Sequence, residues 1–109
     1  TKAYAPYGVE KLQWNPDNRT LDVAWVNKAI SCPNGIPTMS EASNLFYCIG
    51  QRKKIWNLEA LDWDTGASVF YRPMSIWPTH NSFYAGTQIG PFEDIWSGTV
   101  TGAIQLISK

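Results

Sequence analysis

Glu59-Ala60-Leu61-Asp62-Trp63-Asp64-Thr65-Gly66 decides how this chain is read, because its first five residues repeat the pattern of Glu10-Lys11-Leu12-Gln13-Trp14. Each copy runs into a turn signal and then a β-type stretch. Each is followed later by an Asn that opens an aromatic run, Asn44-Leu45-Phe46-Tyr47 and Asn81-Ser82-Phe83-Tyr84, and a trailing Trp comes after each, Trp56 and Trp96. The offsets cluster at roughly 40 to 50 residues, a period that predicts propeller blades when the repeating units are short strands. A closed propeller takes about 4 to 8 blades. Two blades therefore predict a part of a larger ring.

Working outward, turn signals recur at short intervals: Asn15-Pro16-Asp17-Asn18, Pro33-Asn34-Gly35, Glu41-Ala42-Ser43-Asn44, Asp64-Thr65-Gly66 and Ile89-Gly90-Pro91. These residues preset φ or tolerate positive φ. Between them lie strand patterns. Leu21, Val23 and Trp25 alternate onto one face, Leu61 shares a face with Glu59, and Leu45 to Ile49 is apolar throughout, as in a strand covered on both sides. No segment carries a helical period. The chain reads as all-β, one module over 1–109 with approximate blade units 8–50 and 51–109. Residues 8–14 and 20–27 form an outer hairpin, 35–40, 45–50, 56–63 and 67–72 a complete four-stranded blade, and 82–87, 95–101 and 103–108 the start of the next. A chain built this way leaves one blade face uncovered and its edges unpaired. The expected partner is itself, with three copies closing a six-bladed ring.

Composition narrows the function classes. The 44% hydrophobic content and six Trp provide for a packed core and exclude disorder. Nine basic and nine acidic side chains cancel, so nucleic acid is not an expected partner. The Arg52-Lys53-Lys54 run reads as a solvated turn. No apolar stretch approaches the ~20 residues of a membrane span. The chain opens at Thr1 inside a strand-like pattern, as expected of an excised or processed piece, and the compartment stays open. Cys32 and Cys48 read as free and buried: continued strand geometry sets them about 16 Å apart, whereas a disulfide tolerates roughly 7 Å between Cα atoms.

The segment Cys32-Pro33-Asn34-Gly35-Ile36, then Asn44-Leu45-Phe46-Tyr47, then Leu58 through Gly66 resembles a blade of the gluconolactonase and senescence-marker-protein propellers, and Phe83-Tyr84-Ala85-Gly86-Thr87 resembles another strand of that family. The resemblance implies a six-bladed, metal-dependent hydrolase of small esters or lactones as the parent, with Asn34 as an axial ligand to a divalent cation such as Ca²⁺. An amide oxygen is a hard, neutral donor suited to that ion. The family's other ligands, a Glu near the N-terminus and an Asp in a later blade, find no matching motif here. The chain alone is thus expected to lack catalysis. A simpler reading makes Asn34-Gly35 a turn that needs positive φ.

An alternative from another class is a carbohydrate-binding module. Trp faces stack on sugar C–H surfaces while the indole N–H donates a hydrogen bond. The candidate ligand-binding residues are Trp14, Trp63, Trp77 and the single histidine, His80. The competing reading places the Trp side chains in the gaps between blades and His80 in a surface loop. A purely structural or interaction role is the third possibility. Glu10 and Glu59 occupy matching repeat positions; as facing carboxylates they would suit acid/base work, but outward-facing strand residues are the simpler expectation.

Overall fold

The computed structural model describes residues 7–33, 36–75, 86–90, 94–99 and 102–107. The described residues are all-β and contain no helix. They form three antiparallel sheets. The first is a hairpin of β1 (Val9–Asn15) and β2 (Thr20–Asn27). The second is a four-stranded meander of β3 (Thr38–Ser40), β4 (Leu45–Arg52), β5 (Ile55–Asp62) and β6 (Ser68–Ser75) in sequence order. The third pairs β7 (Thr87–Ile89), β8 (Ile95–Thr99) and β9 (Gly102–Leu106). Strands occur where turn spacing predicts them, with ends shifted by a few residues; residues 35, 82–85, 100–101 and 108 of the expected strands lie outside the described residues.

The central meander is covered on both faces, which is why β4 opens with an unbroken apolar run, Leu45 to Ile49, and why β5 buries Asn57 and Glu59 along with its apolar residues. On one face Tyr47, Ile49, Trp56, Leu58 and Ala60 pack with Ile95, Ile104 and Leu106 of the third sheet. On the other face Cys48 and Leu61 pack with Trp25, Ile30 and Val9 of the hairpin layer. Each fully buried Leu or Ile contributes about 1.5–3 kcal/mol, so β4 and β5 anchor the molecule. The third sheet also meets the second through an isolated parallel bridge between Ile36, ahead of β3, and Gly86, ahead of β7.

Local chemistry sets the turns. Lys53 and Lys54 both take positive φ, 47° and 70°, and Arg52 pairs with Ile55 across them. That is a two-residue type I′ connection, whose twist matches that of the strands. The Oδ1 of Asn15 accepts from the N–H groups of Asp17 and Asn18, and the Oδ1 of Asp62 accepts from those of Asp64 and Thr65. These side chains imitate a backbone turn and so terminate β1 and β5.

Three expectations are corrected. Leu21, Val23 and Trp25 do not share a face. Lys11 pairs with Trp25 but Leu12 pairs with Val23, so Ala24 is an extra residue in β2. The bulge reverses the alternation, burying Trp25 and leaving Leu21 and Val23 on the opposite, exposed face. The cysteines are not free: Cys32 and Cys48 form a disulfide with a Cα–Cα distance of 5.9 Å. The strand estimate failed because the chain turns after β2, where the Oδ1 of Asn27 accepts from the N–H groups of Ala29 and Ile30. Residues 30–33 then cross the meander instead of extending β3, with the Ser31 carbonyl lying where a side chain at Gly50 would stand. Trp56 and Trp96 are not counterparts either. Trp56 is buried near the start of the third strand of its sheet, whereas Trp96 is exposed in the second of the described strands of its own.

Candidate functional site

The junction between hairpin and meander is built by the turn after β5. The Trp63 carbonyl accepts from Trp25 Nε1 at 2.8 Å and from Lys11 Nζ at 3.0 Å. The Gly66 carbonyl accepts from Asn27 Nδ2 at 2.7 Å. The Lys11 ammonium also lies 4.1 Å from the centroid of the Trp63 ring, a cation–π contact, and Phe46 packs against that ring from β4. Gly66 has φ +77°, and a side chain there would run into the Trp25 indole. The Asp-x-x-x-Gly turn therefore serves as a socket for the neighbouring sheet.

Glu59 and Arg52 form a second cluster on the same face. Arg52 Nε and Nη2 donate to the two Glu59 oxygens, each at 2.9 Å, and Nη2 also donates to Ser68 Oγ at 3.0 Å. The guanidinium carbon sits 4.0 Å from the Tyr71 ring centroid. The hydrogen bond to Glu59, reinforced by its charge, holds the Arg52 pKa above the ordinary value against the opposing effect of burial. Glu59 is thus not an outward-facing strand residue, and Arg52 does not belong to a solvated turn. The carboxylate is fully buried beneath the 28–33 segment and neutralised by a bidentate partner. Glu10, its repeat counterpart, is exposed.

The candidate ligand residues are distributed as follows. Asn34, Trp77 and His80 lie outside the described residues. Trp63 is half-buried in the socket. Trp14 is exposed on the far side of the hairpin, on the face of Leu12, Leu21 and Val23. The two Trp residues thus occupy opposite faces of the hairpin and do not form one site. Among the described residues no three His, Cys, Asp or Glu side chains converge, so this part of the chain offers a divalent cation no ligand set.

A further feature escaped the sequence reading. Between the meander and the third sheet opens a cleft of about 380 Å³. Tyr47, Leu58 and Phe70 line one side, Ile89, Ile95 and Leu106 the other, and Ser40 and Ser43 belong to the β3–β4 end. Arg72 also lines it. The alternation Phe70, Arg72, Met74 in β6 was the available signal: one cation on an otherwise apolar face.

No family model matches the chain, and no solved structure matches it. The chain is similar to a protein of Archaeoglobus fulgidus described as uncharacterized, with 49% identity over 102 residues, covering 94% of this chain and 20% of the relative. The chain thus spans about a fifth of that protein's length.

Proposed function

We propose that this chain is a β-propeller module that completes its ring by packing a further sheet of the same kind against the outer face of its hairpin. One observation carries the reading. Glu59, Leu61 and Trp63 of the meander are covered by the hairpin layer, and their repeat counterparts Glu10, Leu12 and Trp14 form an exposed hairpin face that none of the described strands covers. Leu12, Trp14, Leu21 and Val23 on that face are each more than half exposed. An apolar sheet face of that kind marks an interaction surface, and the repeat says what shape of partner fits it. The packing of the meander between two other sheets and the parallel bridge from Ile36, ahead of β3, to Gly86, ahead of β7, support the same reading. Three copies would close a six-bladed ring; the greater length of the archaeal relative supports the related arrangement in which one long chain supplies the blades.

Light scattering of the purified chain tests the self-assembled form. A trimer that dissociates when Leu21 is replaced by Lys is the expected result, and a monodisperse monomer at high concentration rules out the homotrimer. Within this proposal the chain has a scaffolding role. The gluconolactonase resemblance spans residues 32–66, the segment that supplies β3, β4 and β5 of the complete meander, so it is kept as a proposal for the parent protein. Any lactonase chemistry would draw on blades beyond this one.

A second reading rests on Trp14. Its exposed indole, on the face that also carries Leu12, Leu21 and Val23, offers a ring surface on which a sugar can stack. Glycan-array binding that is abolished by Trp14→Ala would favour this reading, and an array without hits would remove it.

A further inference from the structure

We propose that the cleft between the meander and the third sheet is a binding site for a small monocarboxylate with an apolar tail. Its size, about 380 Å³, lies within the range of small-molecule sites, roughly 300–1,000 Å³. Its walls are aliphatic and aromatic. The Tyr47 and Phe70 rings meet at 6.3 Å between centroids and supply one side, while Ile95 and Leu106 face them from the third sheet. Such walls gain by taking hydrocarbon out of water.

Among the described residues that line the cleft, Arg72 is the one charged group. Arg72 faces the same side of β6 as Phe70, opposite Leu58, and its guanidinium carbon lies 5.1 Å from the Phe70 ring centroid. Among the described residues no carboxylate pairs with it; its hydrogen bond is a long one, 3.4 Å, from Nη1 to the Tyr71 carbonyl. Arg52, by contrast, spends its charge on Glu59. A guanidinium presents a planar fork of donors that matches a carboxylate in two parallel hydrogen bonds. One cation matches a monoanion; a dianionic phosphate would call for more. Ser40 Oγ accepts from the Ser43 N–H at 3.4 Å and keeps its own O–H to donate. The ligand class is therefore an apolar body that ends in a single carboxylate, held with its head at Arg72 and its tail between the sheets. This site is independent of the ring-forming face, which lies on the other side of the molecule.

The test is calorimetric titration of the full 109-residue chain with sodium decanoate below its micellar concentration, beside the neutral isostere decanamide. The expected result is one decanoate per chain, at least tenfold weaker binding of decanamide, and at least tenfold weaker binding of decanoate to Arg72→Gln. Arg72 is exposed, so this variant should keep the parent's melting temperature. A second variant, Ala42→Trp, fills the cleft from the exposed β3–β4 turn and should abolish binding with Arg72 intact. Equal binding of decanoate and decanamide, an Arg72→Gln variant that binds like the parent, or no heat of binding at all would each overturn the proposal.

Discussion

At the scale of single residues, a few positions have no tolerance because two layers of chain meet there. Gly66 combines positive φ with direct contact to the Trp25 ring. Gly66→Ala should therefore lower stability by about 2–4 kcal/mol, through backbone strain and displacement of Trp25 together; thermal unfolding followed by Trp fluorescence measures it. The Arg52–Glu59 pair makes a different prediction. Removing one partner of a buried pair typically costs about 3–5 kcal/mol, and the partial exposure of Arg52 moves this pair to the lower end. Arg52→Met, which strands the buried carboxylate, should be worse than the double variant Arg52→Met/Glu59→Leu, and a double-mutant cycle reads the coupling. The sign of the pH dependence follows from Arg52. A basic group whose pKa is raised on folding contributes its stabilisation fully below its unfolded pKa and loses it only above. Its contribution should therefore be flat between about pH 7 and 10, and a decline there that vanishes in Arg52→Met would contradict the assignment.

At the scale of elements, the segment 28–33 is the one that local pattern misjudges. It is not a strand but a strap across β4, fastened by the Cys32–Cys48 disulfide over a separation of 16 residues. A loop of that size is worth about 3 kcal/mol in the chain-entropy account. Reductant should lower the melting temperature of the parent, while Cys32→Ser/Cys48→Ser should start lower and ignore reductant. Equal melting curves with and without reductant would show that the strap holds without its bond. Since Ile30 and Ser31 of this strap are themselves buried and Glu59 lies beneath it, its release should also speed hydrogen exchange in β5. The β2 bulge is the other element-scale device. One extra residue turns Trp25 inward as the lock to the meander and turns Leu21 and Val23 outward.

At the scale of the whole molecule, the chain is a stack of three sheets with a core on each side of the middle one. Its two ends differ. The hairpin ends in an apolar face of Leu12, Trp14, Leu21 and Val23, whereas the far sheet exposes Trp96, whose Nε1 donates to Asp94. Unlike end faces favour head-to-tail addition, which closes a ring if the rotation per unit allows it. Leu21→Lys should dissociate any such assembly and leave the unfolding free energy of the isolated chain within about 0.5 kcal/mol of the parent, since an exposed side chain contributes little to its own fold. Loss of the fold in that variant would mean that the face is structural within one chain.

The sequence by itself determined the strands and their order. Period-two alternation and turn residues are local properties, so strands at 20–27, 45–50 and 56–63 were legible to within two residues of their ends, as was the double-sided burial of β4 from its unbroken apolar run. The repeat also exposed the equivalence of Glu10 to Trp14 with Glu59 to Trp63. Only the tertiary structure decided what lies against what. Whether Glu59 is solvated or paired depends on Arg52 seven residues away across a type I′ turn. Whether Cys32 meets Cys48 depends on a strap that local pattern extends as a strand. The face on which Leu21 sits depends on a bulge that leaves no mark in hydropathy. The cleft with Arg72 exists because two sheets diverge, and the distance between sheets is a property of packing that no single strand encodes.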